Sequence, residues 1–168
     1  NKLETIVQSI TRAKRMSLIH LIDLNKRDIN SLVKKISRSF YLSLRILPDN
    51  LRLPISIAFI LAKLADTFID RLYLPASTKL DFLSRYNIFF NGSSDPLIER
   101  LENFSYIESS IKDLHPDEQL LMNSLYALES IWKMLSEADQ QLTRILLSNI
   151  IEGMQWEIDT FRNASEER

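Results

Sequence analysis

The chain has 168 residues, the size of one domain with a real hydrophobic core, and its formal net charge is −1. That charge excludes the electrostatic footprint of a nucleic-acid binder and a polybasic membrane patch. With 45% apolar and 26% charged residues the composition is that of an ordinary soluble globular protein. Cysteine is absent, which removes disulfides, thiolate metal sites and cysteine nucleophiles and leaves the redox compartment open. The two histidines, His20 and His115, lie in no metal-ligand spacing and read as surface or helix-end residues.

Helical apolar spacing dominates, glycine occurs only at Gly92 and Gly153, and no hairpin signal stands out. Leu3 to Leu24 reads as an amphipathic helix. A second, capped at Asn25 or Asp28, is expected to run through Ile29, Leu32, Val33, Ile36, Phe40 and Leu44 to Leu47. Pro54 suits the first turn of a third helix reaching Arg71. Pro75 and Ser77 start the next, which ends near Asn91 at the Asn91-Gly92 stop. Ser94, Asp95 and Pro96 open a short helix, and another helical stretch lies between Ser105 and Leu114. Pro116 begins a long helix to about Leu135. The last runs from Ser136 to Phe161, with Ser136 and Asp139 forming a box-like cap. The expectation is a single all-α domain over residues 1–168. The apolar stretch Leu53 to Leu64 is too short to span a bilayer and no signal peptide is seen, so a cytoplasmic setting with at most peripheral membrane contact is expected.

The most informative segment runs from Leu53 to Asp70. On a helix, Ser56, Lys63, Asp66, Thr67 and Asp70 fall on one narrow stripe and nearly everything else is apolar. Such a helix is usually buried, so its polar stripe must face partners, water or a cavity. Two carboxylates four residues apart on it need cationic compensation. Two readings are open here. One is an ion-pair network, with Lys63 on Asp66 and a distant arginine on Asp70. The other is a site for hard divalent cations, which favour oxygen ligands; Mg²⁺ takes one or two carboxylates together with phosphate oxygens and waters.

Three segments carry a family resemblance. Asp66-Thr67-Phe68-Ile69-Asp70 resembles the first aspartate-rich motif of squalene and phytoene synthases. Ser37-Arg38-Ser39-Phe40-Tyr41, one helix earlier, resembles that family's Ser-Arg-Ser-Phe segment, with the Leu47-Pro48 turn between. Gly153-Met154-Gln155-Trp156-Glu157-Ile158-Asp159 is similar to the Gly-Met segment preceding the family's second acidic motif. The three stand in the family's order and cover most of the chain.

The resemblance implies an isoprenoid-synthase-type helical bundle, incomplete at the C-terminus, and Mg²⁺-dependent head-to-head condensation of two prenyl diphosphates, farnesyl or geranylgeranyl. Asp66 and Asp70 would hold Mg²⁺ bridging to substrate diphosphate. Ser37, Arg38 and Ser39 would contact diphosphate oxygens, and Phe40 would line the prenyl pocket. Lys63 stands where the family usually has a diphosphate-clamping arginine, keeping the charge but not the bidentate fork. Phe59 replaces a common tyrosine near the reacting carbons. In the family the chains couple through a cyclopropyl diphosphate, which some members reduce with NADPH; no Gly-rich nucleotide loop supports that step here. The second aspartate-rich motif is not reached before Arg168, about half a typical member. The expectation is therefore a half-domain incomplete on its own, with a cut or processed look at both ends. Exposed apolar helix faces would favour homo-oligomerisation. The alternative is a catalytically inactive helical homologue that binds prenyl diphosphate or a protein partner.

Overall fold

The computed structural model describes residues 26–91 and 111–166, and every regular element among them is helical. The helices expected over Leu3–Leu24 and at Ser94–Pro96, most of the stretch from Ser105 to Leu114, and His20 lie outside the described residues.

Helix α1, Lys26–Ile36, turns Ile29, Leu32 and Val33 inward and keeps Lys34 and Lys35 in its last turn, where cations complement the helix dipole. The expected single helix to Leu47 is in fact two. Ser37 adopts extended backbone (φ −151°, ψ 100°), and its hydroxyl accepts from the Phe40 N–H at 3.3 Å, capping α2, Arg38–Leu44. A serine hydroxyl competes with the helical ladder for backbone partners, and periodicity cannot register that. Tight turns at Arg45, Ile46 and Leu47 follow, and Arg52 fastens them by donating to the Leu47 carbonyl at 2.9 Å and the Arg45 carbonyl at 3.1 Å.

Helix α3, Asp49–Arg71, begins five residues before the expected start at Pro54. Pro48 fixes φ at −53° as the cap, and Asp49 places a carboxylate in the first turn. Pro54 is thus accommodated inside the helix, where it cannot donate to the carbonyl of Asn50, an exposed residue. The rest of α3 is the spine of the molecule. Ile57, Ile60, Leu61, Leu64, Ala65, Phe68 and Ile69 are buried against α1 and the helices that follow. Each such aliphatic or aromatic burial is worth about 1.5–3 kcal/mol.

Helix α4, Ala76–Phe90, packs an aromatic column into this core. Phe68 and Phe82 stack at 3.6 Å between centroids, Phe82 lies 5.3 Å from Tyr86, and Tyr86 meets Phe90 edge-on at 4.8 Å. Phe90 in turn meets Trp132 edge-on at 4.9 Å. The buried Tyr86 hydroxyl donates to the Leu61 carbonyl at 2.8 Å, so the column is also hydrogen-bonded to α3.

The long helix expected from Pro116 to Leu135 is also interrupted. Helix α5 covers Pro116–Asn123, a 3₁₀ turn covers Ser124–Ala127, and α6 covers Leu128–Lys133. Ser124 is buried and its hydroxyl donates back to the Leu121 carbonyl at 2.5 Å, tightening the chain where the helix would have continued. His115 is a helix-end residue as expected, its Nδ1 accepting from the Asp117 N–H at 3.3 Å. Glu118 on α5 accepts from Arg71 at 2.7 Å, which ties α5 to the end of α3 and raises the guanidinium pKa through that hydrogen bond.

Helix α7, Glu137–Glu166, runs past the expected end at Phe161. Its box-like cap is present: Ser136 Oγ accepts from the Asp139 N–H at 3.2 Å and donates to Asp139 Oδ2 at 2.8 Å. Thr143, Leu147 and Ile151 are buried, where α7 crosses α4 and α3. Arg144 reaches the Phe90 carbonyl and covers the Trp132 ring at 5.5 Å. The outward face leaves Leu142, Ile145, Leu146 and Trp156 exposed. No helix among the described residues is long and apolar enough to cross a membrane.

Candidate functional site

The polar stripe of α3 divides along its length. Ser56 and Thr67 are buried, and the Ser56 hydroxyl is spent on the Arg52 carbonyl at 2.6 Å. Lys63, Asp66 and Asp70 turn outward. Lys63 Nζ lies 2.5 Å from Asp66 Oδ2, with side chains 42% and 39% exposed. At that exposure water screens the pair, and its contribution to stability is about 0.2–1 kcal/mol. Half of the ion-pair reading is therefore present. The other half is not: Asp70 is exposed, no cation among the described residues lies in ion-pair range of it, and neighbouring Arg71 turns to Glu118.

A sharp reversal follows. Leu72 is extended, the Leu74 N–H donates to the Leu72 carbonyl at 2.8 Å, and Pro75 opens α4, accepting from Thr78 at 3.0 Å and Lys79 at 3.1 Å. This brings the first turn of α4 beside the last turns of α3, and the C-terminal half of α7 closes the third side. The three enclose an open cleft of about 580 Å³. Asp66 and Asp70 line it from α3, Lys79 from α4, and Glu157 and Arg162 from α7. Its apolar part is Ile69 and Leu74 on one side and Met154, Ile158 and Phe161 on the other.

The sequence-predicted residues thus fall into three groups. Asp66 and Asp70 share the cleft wall, and Lys63 is held at its edge through Asp66. Phe40 and Phe59 come together, stacked at 4.0 Å between centroids with planes 15° apart, but they pack against the core and do not line the cleft. Ser37, Arg38 and Ser39 do not line it either. Ser37 is occupied as a cap, with Ser39 Oγ 3.4 Å from its hydroxyl, and Arg38 is exposed.

Sequence reasoning missed Lys79 and Arg162 and gave Glu157 no role. Glu157 lay inside the Gly-Met segment, so a signal for it existed. Lys79 and Arg162 had none, because only the reversal at Leu72–Pro75 and the crossing of α7 carry them to the carboxylates.

No group of three or more His, Cys, Asp or Glu side chains among the described residues is arranged to cage a metal unaided. The donors suit a cation that keeps most of its shell as water or phosphate oxygen. Mg²⁺ behaves so, whereas a structural Ca²⁺ or Zn²⁺ site asks for more protein ligands. No protein-family model, no curated protein and no solved structure matches the chain.

Proposed function

We propose that the chain binds prenyl diphosphate in the α3–α4–α7 cleft, with Asp66 and Asp70 holding Mg²⁺, as part of a squalene/phytoene synthase-like prenyl transferase. The reaction class is head-to-head condensation of two farnesyl or geranylgeranyl diphosphates. One observation carries the reading: two carboxylates a single turn apart, on the most buried of the described helices, open together onto a cleft that also has cations and an apolar flank.

Bound Mg²⁺ would neutralise diphosphate charge as the carbon–oxygen bond breaks. Asp66 and Asp70 orient the head group from a helix fixed by Phe68 and Ile69. Met154, Ile158 and Phe161 give the first carbons of the prenyl chain an apolar surface. A second reading, binding without turnover by this chain, is favoured by one placement: Phe40 and Phe59, the aromatics expected beside the reacting carbons, are stacked on each other outside the cleft wall.

Titration calorimetry with a non-hydrolysable thio analogue of farnesyl diphosphate tests the proposal. Binding is expected in Mg²⁺, lost in EDTA and lost in Asp66→Asn. Binding that ignores both the metal and the aspartate would sink it. Incubation with farnesyl diphosphate then separates turnover from binding.

A further inference from the structure

We infer that Lys79 is an anion contact of this cleft, meeting diphosphate oxygens from the α4 wall while Asp66 and Asp70 hold the metal on the α3 wall. The inference rests on the reading of the cleft as a diphosphate site and assigns a contact that the sequence motifs do not contain.

The argument is an inventory of cations. Lys63 and Arg71 do not line the cleft: Lys63 pairs with Asp66 at its edge at 2.5 Å, and Arg71 pairs with Glu118 at 2.7 Å. Arg162 lines the cleft but has an interaction of its own. Lys79 is different: it lines the cleft, is half-buried, and has no ion-pair partner among the described residues. Three carboxylates, Asp66, Asp70 and Glu157, line the same cleft, yet none comes within ion-pair range of it. The cleft therefore keeps its acids and this ammonium apart across open space. A partly desolvated ammonium without a counter-ion gains from an anion placed there.

The carboxylates repel a bare anion, and Lys79 repels a bare cation. A metal-bound diphosphate satisfies both walls, since its metal face is cationic and its remaining oxygens are anionic. A free carboxylate or monophosphate has fewer oxygens with which to reach from the metal to the second wall. The chemical class assigned is thus a diphosphate carried with its divalent cation.

Inorganic pyrophosphate with Mg²⁺ is the probe, titrated calorimetrically into the wild type, Lys79→Ala, Lys79→Arg, Asp70→Asn and Lys112→Ala. Lys112 is an exposed lysine that does not line the cleft and serves as control. Lys79→Ala is expected to weaken binding about tenfold, the scale of one lost hydrogen bond to a charged group. Lys79→Arg should recover most of the loss, which also answers any objection that the alanine variant misfolds. Lys79→Ala binding as tightly as Lys112→Ala, with Asp70→Asn weakened, would overturn the role of Lys79 and leave the diphosphate site standing. No binding by the wild type would overturn both.

Discussion

Replacing Lys63 by methionine keeps the stem and removes the charge, and the expected result is tighter binding of a divalent cation by Asp66 and Asp70. Lys63 Nζ lies 2.5 Å from Asp66 Oδ2. A Mg²⁺ ion sits about 2.1 Å from a ligating carboxylate oxygen, so on a shared oxygen the two cations are no more than about 5 Å apart. At that separation a monovalent and a divalent charge repel by about 1.5–2 kcal/mol in water, and screening at 0.15 M salt brings this to about 1 kcal/mol. The water dielectric is the right one because both side chains are about two-fifths exposed. If Lys63 instead moves aside when the metal binds, the cost is the ion pair itself, about 0.2–1 kcal/mol. Both routes disfavour the metal in the wild type. Mn²⁺ affinity, read by electron paramagnetic resonance of the free ion, should therefore rise roughly two- to fivefold in Lys63→Met. In the Asp66→Asn background the gain should disappear, since the coupling runs through that carboxylate. Unchanged or weaker Mn²⁺ binding by a Lys63→Met protein that melts normally would refute the placement of the metal on Asp66.

Ser37→Ala should lower stability by about 1 kcal/mol through loss of the α2 cap, roughly 2–4 °C in Tm for a chain of this size, while leaving pyrophosphate binding intact. Lost binding with an unchanged Tm would instead make Ser37 a ligand contact. Burial pushes the Tyr86 phenol well above its ordinary 10.0, so it stays neutral in the folded chain. Its contribution to stability is fully present below pH 10.0 and declines as pH rises, because the unfolded chain ionises first, by at most about 1.4 kcal/mol per pH unit. Tyr86→Phe should cost about 0.5–1.5 kcal/mol near neutrality, for the lost bond to Leu61, and flatten the decline above pH 10. Urea unfolding followed by tryptophan fluorescence measures both, and equal alkaline slopes in the two proteins would refute the assignment.

Among the described residues, periodicity found the helices and failed at two serines. The patterns through Ile29–Leu47 and Pro116–Leu135 are continuous, and nothing in them distinguishes one helix from two. At Ser37 the hydroxyl caps a new helix, and at Ser124 it bonds back to Leu121. Ser136, which did announce a cap, differs in being followed by an acid at the third position and preceded by the end of an apolar run. The start of α3 differs from the expected one because Pro54 suits a first turn as well as Pro48 suits a cap, and a Leu47-Pro48 turn does not by itself announce the helix that follows it directly. The candidate site shows the same division between local and non-local information. Asp66, Asp70 and the Lys63 pair were legible because one turn of helix brings them together. The opposite walls were not, since Lys79 and Arg162 reach the cleft only through a reversal and a helix crossing.

The site depends on the core more directly than its exposure suggests. Thr67, Phe68 and Ile69, the residues between the two aspartates, are buried, and Phe68 is stacked on Phe82 within the column that continues to Trp132. Turning Asp66 and Asp70 away from the cleft requires α3 to rotate, and rotation would draw Phe68 out of that stack. Losing a fully buried phenylalanine costs about 3–5 kcal/mol, far more than the 0.2–1 kcal/mol or so with which Lys63 holds Asp66. The carboxylates are thus fixed in direction by buried aromatics and only lightly held in place by a surface ion pair. That combination suits a ligand site: the backbone is set before the ligand arrives, while the side chain can exchange Lys63 for a metal at small cost. A purely structural ion pair would need no such anchoring beneath it.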